Sequence, residues 1–355
     1  MKANLLNLAP AEAELTLREF AVSQGLQPYR GSQAANHLWH APKGSFAEMT
    51  DLPPVFRDAL ANAFELPRLT LDVRQRSRDG TEKFLFRLHD RQAIETVAIP
   101  EKRRLTLCIS SQAGCALQCA FCATGAMGFA RNLEPFEIAG QVRELLLLDP
   151  PLRPTNIVFM GMGEPLMNWS AVDTALTILN APKGLGIGAR HITVSTVGVL
   201  PGIEALAQRR EQFRLAISIH APNDSMRHAL MPINTKYPLA TVLEAAKAFD
   251  RRVTFEYVLL GGVNDQPIHA RELAVHARAC RAFVNLIPLH PGGTGHFAPS
   301  GAETTERFAR ILREAGVEVA VRKSRGLDIA AACGQLRVER LRRRPPVAAQ
   351  VHADI

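Results

Sequence analysis

No stretch of this 355-residue chain is apolar for long enough to cross a membrane. The runs ELLLL at 144–148 and EYVLL at 256–260 fall far short of the roughly 20 residues that a spanning helix needs. The opening MKANLLNLAPAEAEL lacks the unbroken apolar core of a secretion signal and carries acids early. Cysteine is scarce, six in all, and half of it is bunched between positions 115 and 122. That distribution excludes the spread framework of a disulfide-stapled secreted protein and suits a reducing compartment. Internal repeats and low-complexity blocks are absent as well. Together these absences lead to the expectation of a cytoplasmic protein.

What is present is ordinary globular material: 47% hydrophobic and 21% charged residues, enough to build a sizeable core without disorder. The formal net charge of +8 suits a polyanionic partner, through phosphate contacts and counterion release. The length exceeds a typical single domain, so one large α/β domain with a smaller companion is expected.

Cys115, Cys119 and Cys122 stand in a C-x3-C-x2-C run, with a fourth thiol, Cys108, seven residues upstream. Gaps this short let a tight loop turn three thiolates toward one metal centre. A structural zinc site or a ferredoxin-type cluster closes with four protein ligands, so a triplet leaves one coordination position open for chemistry. The plainer alternatives are a zinc site completed by a distant His, or three reduced core cysteines.

Residues 15–64 read as short helices. Leu17, Phe20 and Ala21 share one face, and Val55, Leu60 and Phe64 another after the Pro53-Pro54 start signal. LTLDVRQ, then EKFLFRL after the Asp79-Gly80 turn, then AIETVAI alternate as a β-meander. Residues 1–95 are therefore expected to form a small α+β accessory domain. From Arg104 the strands RLTLCIS, NIVFM, HITVST, RLAISI, VTFEYVLL, FVNLI and VEVAV alternate with helices beginning near Pro135, Ala171, Leu200, Leu239, Ile268 and Thr304. The helix at Pro135 is the clearest, with Glu134 and Glu137 at its positive end and Phe136, Ala139, Val142, Leu145 and Leu146 in one stripe. This alternation predicts parallel strands with right-handed crossovers in about six repeats over 96–327. The triplet, Gly161–Glu164, Ser195, Ser218–His220 and His290 all fall at C-terminal strand ends, the face where parallel barrels hold ligands. Residues 328–355 carry Cys333 and the Arg-rich ERLRRRPP, a solvated tail or an RNA contact.

TLCISSQAGC before the triplet, FCATGAMGFARNL through and after it, GMGEPL at 161–166, AISIHAPND at 216–224 and DIAAACGQL at 328–336 resemble the RlmN/Cfr family of radical S-adenosylmethionine (SAM) RNA adenine methyltransferases. The resemblance runs from about Glu95 to Leu336 and implies an open, partial (β/α)6 barrel with an accessory domain that helps hold RNA. It further implies that Cys115, Cys119 and Cys122 ligate a 4Fe-4S cluster, that two SAM molecules are used per turnover, and that flavodoxin or ferredoxin donates electrons to a monomer.

The expected substrates are 23S rRNA and tRNA. Adenine C2, between two ring nitrogens, is too electron-poor to attack the SAM methyl, so a radical route is required, with the hard chemistry carried by the cofactors. In the resembled family a first SAM methylates the cysteine matched by Cys333, a radical on that methyl joins adenine, and the thiol matched by Cys108 releases the RNA through a transient disulfide. Glu95 matches the base for the C2 proton.

Gly163 and Glu164 match contacts to the SAM amino group, and Ser195, Ser218, Ile219 and His220 contacts to the rest. His290 stands where the family commonly has Asn. Cys280 reads as a core residue without a role. Three other readings stay open. A C8-directed relative would share these residues, although SSQAGCAL and FARNL favour C2. A glycyl-radical activase would not need Cys333, and a zinc-stabilised RNA-binding module would be colourless.

Overall fold

The computed structural model describes residues 2–289, 297–323, 325–331 and 334–336. His290, Cys333 and the Arg-rich tail lie outside the described residues.

The frame of the molecule is one sheet. An antiparallel meander comes first, β1 (Thr70–Arg76), β2 (Glu82–Arg87) and β3 (Ala93–Glu101). Among the described residues, seven parallel strands follow: β4 (Arg104–Cys108), β5 (Asn156–Phe159), β6 (Ile192–Thr196), β7 (Arg214–Ser218), β8 (Val253–Gly261), β9 (Phe283–Pro288) and β10 (Val319–Val321). The order across the sheet is β10-β9-β8-β7-β6-β5-β4-β3-β2-β1, with every neighbour from β4 to β10 parallel. Six crossovers join these seven strands, and each carries a helix that begins within two residues of the position read from the sequence. The strands are apolar because helices cover one face while the other lines the interior.

The meander and the barrel are continuous. β3 pairs antiparallel with β4, placing Val97 opposite Cys108. The expected boundary at residue 95 falls inside β3. The N-terminal helices are α1 (Pro10–Ser23), α2 (Tyr29–Asn36) and α3 (Pro54–Ala63), with α1 packed on α2. Phe20 stacks on Phe56 and meets Phe64 edge-on. Here the sequence reading needs correcting, since Val55 is 81% exposed and Phe56 is the buried partner of Leu60. Pro53 is the N-cap residue of α3 and Pro54 its first helical residue, which turns Phe56 and Leu60 inward together.

α4 (Pro135–Leu146) joins the two regions and is buried almost all round. One side faces the sheet, where Gln141 bonds the backbone of Ser110 and accepts from the hydroxyl of Thr96. Another side is covered by the N-terminal region. Arg143 donates to the carbonyls of Leu38 and Lys43, Arg68 pairs with Glu144, and Asn7 bridges Glu134 and Phe136. Burial pulls the Arg143 guanidinium down to about 10. Arg143→Ala leaves two buried carbonyls without donors and opens a void. It should destabilise the protein by about 2–4 kcal/mol in a denaturant titration, while exposed Arg310→Ala should move it little.

Candidate active site

The loop after β4 is built to turn three thiols into one cavity. Its ends, Gln112–Gly114 and Phe129–Asn132, zip together as a short antiparallel pair. At Gly114 (φ +79°) a side chain would strike the Gly128 carbonyl, 2.0 Å from where its Cβ would lie. Inside this bracket the Cys115 amide bonds the same carbonyl, the Cys122 amide bonds the Cys119 carbonyl, and a single helical turn, Ala123–Ala126, follows. Cys115, Cys119 and Cys122 all line the main cavity.

Two observations decide what the thiols fit. Burial pushes the Cys115 thiol up to about 11 and Cys119 in the same direction, so the bare thiols stay protonated and thiolates require a bound cation's charge. Among the described residues, no three His, Cys, Asp or Glu side chains converge tightly enough for a single metal ion. Three thiols spread around one cavity would hold a multi-iron cluster more readily than a lone zinc.

The GMGEPL turn after β5 is fastened to this loop. The Met162 carbonyl accepts from the amides of Ser111 and Gln112, and the Glu164 amide donates to Gln112 Oε1. Gly163 (φ +98°) lies so close to Gln112 that an added Cβ would be 2.5 Å from the Gln112 Cβ. No other residue fits there. Glu164 is 3% exposed, and its two oxygens accept from the amides of Leu166 and Val197 at 3.0 and 2.9 Å. Burial nevertheless raises its carboxyl to about 7.

Ser195, Ser218 and His220 line the same cavity from the ends of β6 and β7. His220 is held at φ +53° with Nδ1 accepting from the Val258 amide at 3.0 Å, which fixes the Nε2–H tautomer. Burial lowers it to about 3, so it is a neutral donor, with its ring edge-on to Phe121. Ile219 is fully buried, its amide donating to the Glu256 carbonyl, and its side chain is not among the cavity walls.

Glu95 sits in mid-β3, buried, with Oε1 3.1 Å from Lys83 Nζ. Cys108 is buried at the end of β4. It lines a second cavity, adjoining the first and walled by β3 and β4 from one end of the strand order and β9 and β10 from the other, together with Arg104, Arg322 and Arg325. Ala331 and Leu336, which flank Cys333 in sequence, line that cavity too, and Leu336 also reaches the main one. The described thiols form no disulfide among themselves. Cys280 is buried with Sγ 3.6 Å from the Leu243 carbonyl, as a core residue should be.

Sequence reasoning missed Glu256. It lies in the row Ser218–Glu256–Asn285 across β7, β8 and β9 and is 3% exposed. Oε1 accepts from Asn285, Oε2 makes no hydrogen bond among the described residues but lies 3.8 Å from Arg322 Nη1, and burial raises its carboxyl. The signal was an acid inside the apolar run VTFEYVLL. Arg227 was missed as well. It is fully buried and donates to the carbonyls of Val197 and Tyr237, bracing the loop after β6.

A profile for the radical SAM superfamily matches residues 109–274. The chain is 67% identical, over 99% of its length and 98% of the relative's, to a "probable dual-specificity RNA methyltransferase RlmN" of Gemmatimonas aurantiaca. It is 44% identical to a "dual-specificity RNA methyltransferase RlmN" of Desulfotalea psychrophila, covering 94% of this chain and 95% of that one. Its fold superposes on the crystal structure of a radical SAM methyltransferase from Sphaerobacter thermophilus with a TM-score of 0.87 at 43% identity, over 94% of this chain and 99% of that one.

Proposed function

The chain belongs to the RlmN family of radical SAM RNA methyltransferases, and on that premise we propose that it methylates C2 of adenine in 23S rRNA and in tRNA, in the cytoplasm, as a monomer. The observation that carries this reading is that the chain just after Cys333, Gly334 to Leu336, lines the cavity of Cys115, Cys119 and Cys122, while Ala331 before it lines the adjoining cavity with Cys108. Those three residues would hold a 4Fe-4S cluster, which when bound supplies the electron for reductive SAM cleavage, replenished by flavodoxin or ferredoxin. Gly163 and Glu164 would take the SAM amino group, with Ser195, Ser218 and the His220 Nε2–H toward the remainder. His290, at the position of the family's Asn, would complete the contacts.

Two SAM molecules are needed. The first transfers its methyl to the Cys333 sulfur, releasing S-adenosylhomocysteine and a proton. The second, cleaved reductively, removes hydrogen from that S-methyl group. As the adduct gave up one electron to the electron-transfer chain, Glu95, held by Lys83, would accept the proton lost from C2. The Cys108 thiolate would then attack the Cys333 sulfur, forming a Cys108–Cys333 disulfide while the carbon leaves with the bonding pair and takes a proton as the new C2 methyl group. Mass spectrometry of rRNA and tRNA nucleosides with and without the gene tests the proposal. Loss of 2-methyladenosine supports it, and loss of 8-methyladenosine instead would assign the C8 reaction.

The raised carboxyl of Glu164 gives a further expectation. Ionised Glu164 attracts the SAM ammonium and the protonated form does not, so the apparent Kd should rise as pH falls below about 7, by up to tenfold per unit. Glu164→Gln should bind weakly at every pH, with the slope gone, when titrated anaerobically.

A further inference from the structure

We propose that the tip of the β1–β2 hairpin is a clasp that positions the acceptor segment around Cys333, with Asp79 and Asp328 as its working carboxylates; this rests on the function proposed above.

The contacts are reciprocal. Asp328 accepts from the Ser77 hydroxyl at 2.5 Å and from the Arg78 amide at 3.2 Å. In return Asp79 accepts from the Gly326 amide at 2.9 Å with one oxygen, and from the Thr81 amide at 2.9 Å with the other. Each side thus offers a carboxylate to the other's backbone. Gly326, at φ +64°, lets the two surfaces meet, since an added Cβ would lie 2.7 Å from Ala331 Cβ and 3.0 Å from Thr81 Cγ2. From there the chain makes one 3-10 turn, Leu327–Ile329, closed by the Ala331 amide on the Gly326 carbonyl. Beneath the turn Lys83 donates to the Ala330 carbonyl at 3.2 Å while contacting Glu95. On the far side of Cys333 the chain is tied to the cluster loop instead, through Ala123 N–H to the Gly334 carbonyl and Thr124 Oγ1 to the Leu336 carbonyl, both at 2.8 Å.

The described chain is therefore anchored before residue 332 and again after residue 333. One anchor belongs to the loop that carries the cluster ligands, the other to the meander that carries Glu95. Asp79, Asp328 and Arg78 are solvent-exposed, so their hydrogen bonds add little to global stability. Placement is another matter, because reacting atoms must approach to about 3–3.5 Å and a displacement of about 1 Å can cost on the order of 100-fold.

The test is the Asp79→Ala/Asp328→Ala double variant as anaerobic holoenzyme. Iron content and SAM affinity should match wild type. Methylated adenine per 5′-deoxyadenosine released should fall by about tenfold or more, and amide exchange at 326–331 should rise. Asp328→Asn, which keeps an acceptor for Ser77, should recover most of the coupling. Wild-type coupling despite faster exchange would overturn the proposal. So would unchanged exchange, or a loss of coupling that arrives together with loss of iron. A wild-type enzyme that cleaves SAM but methylates no RNA would count against the proposed function rather than the clasp. The clasp would then be judged by the yield of S-methylated Cys333, expected to drop in the double variant and overturning the proposal if it does not.

Discussion

Cys119→Ala should yield a colourless protein with almost no iron and no reductive SAM cleavage, and Cys115→Ala and Cys122→Ala should do the same. The expected effect is near complete because, among the described residues, no fourth thiol lines the cavity: Cys108 and Cys280 do not. Two remaining thiols in a pocket that disfavours thiolates would be too few to hold the cluster. Iron and sulfide analysis, the charge-transfer absorption of protein reconstituted without oxygen, and 5′-deoxyadenosine release should fall together. A triple variant that kept a full cluster would remove the assignment.

The second large effect is expected at Cys108. A covalent bond between RNA and Cys333 is a thioether, which does not hydrolyse readily near neutral pH, so release needs a nearby thiol. Cys108 lines the second cavity, whose walls include Ala331 and Leu336, on either side of Cys333. Cys280 is held under the Leu243 carbonyl, on the helical side of the sheet. Cys108→Ala should keep its cluster, SAM binding and Cys333 methylation yet stall before release. A protein–RNA adduct would then show as a slow band in a denaturing gel, collapsed by ribonuclease and absent when Cys333→Ala is added. Normal turnover by the single variant would make Cys108 an ordinary strand residue.

The barrel was legible because its signals are local. Apolar runs such as NIVFM and HITVST alternate with Pro-initiated or amphipathic helices, and each motif residue sits where one of those strands stops. Glycines at 114 and 163 occupy the tight turns beside the thiols and Glu164; the fold shows these turns, which the sequence reading did not single out. What could not be read depended on partners far away in sequence. Arg143 and Glu144 look like the wet side of an amphipathic helix, and only the fold shows Leu38, Lys43 and Arg68 covering them. Val55 and Phe56 differ by one position, which a helical stripe judged from three residues does not resolve. Glu256 is masked by strand propensity, because the pattern says which way a side chain points but not what empties into the space beside it.

The pairing of β3 with β4 has a consequence for how such a protein can be cut or recombined. A chain opened between residues 95 and 96 would lose two strands and part of a third, and would bare a backbone edge flanked by Val97 and Ile99. Unpaired N–H and C=O groups beside apolar side chains are a template for self-association. The accessory region is thus not an exchangeable bead. Splicing, permutation or fusion would be tolerated in connections that cross no ladder, such as the exposed turns at 182–183 and 210–212.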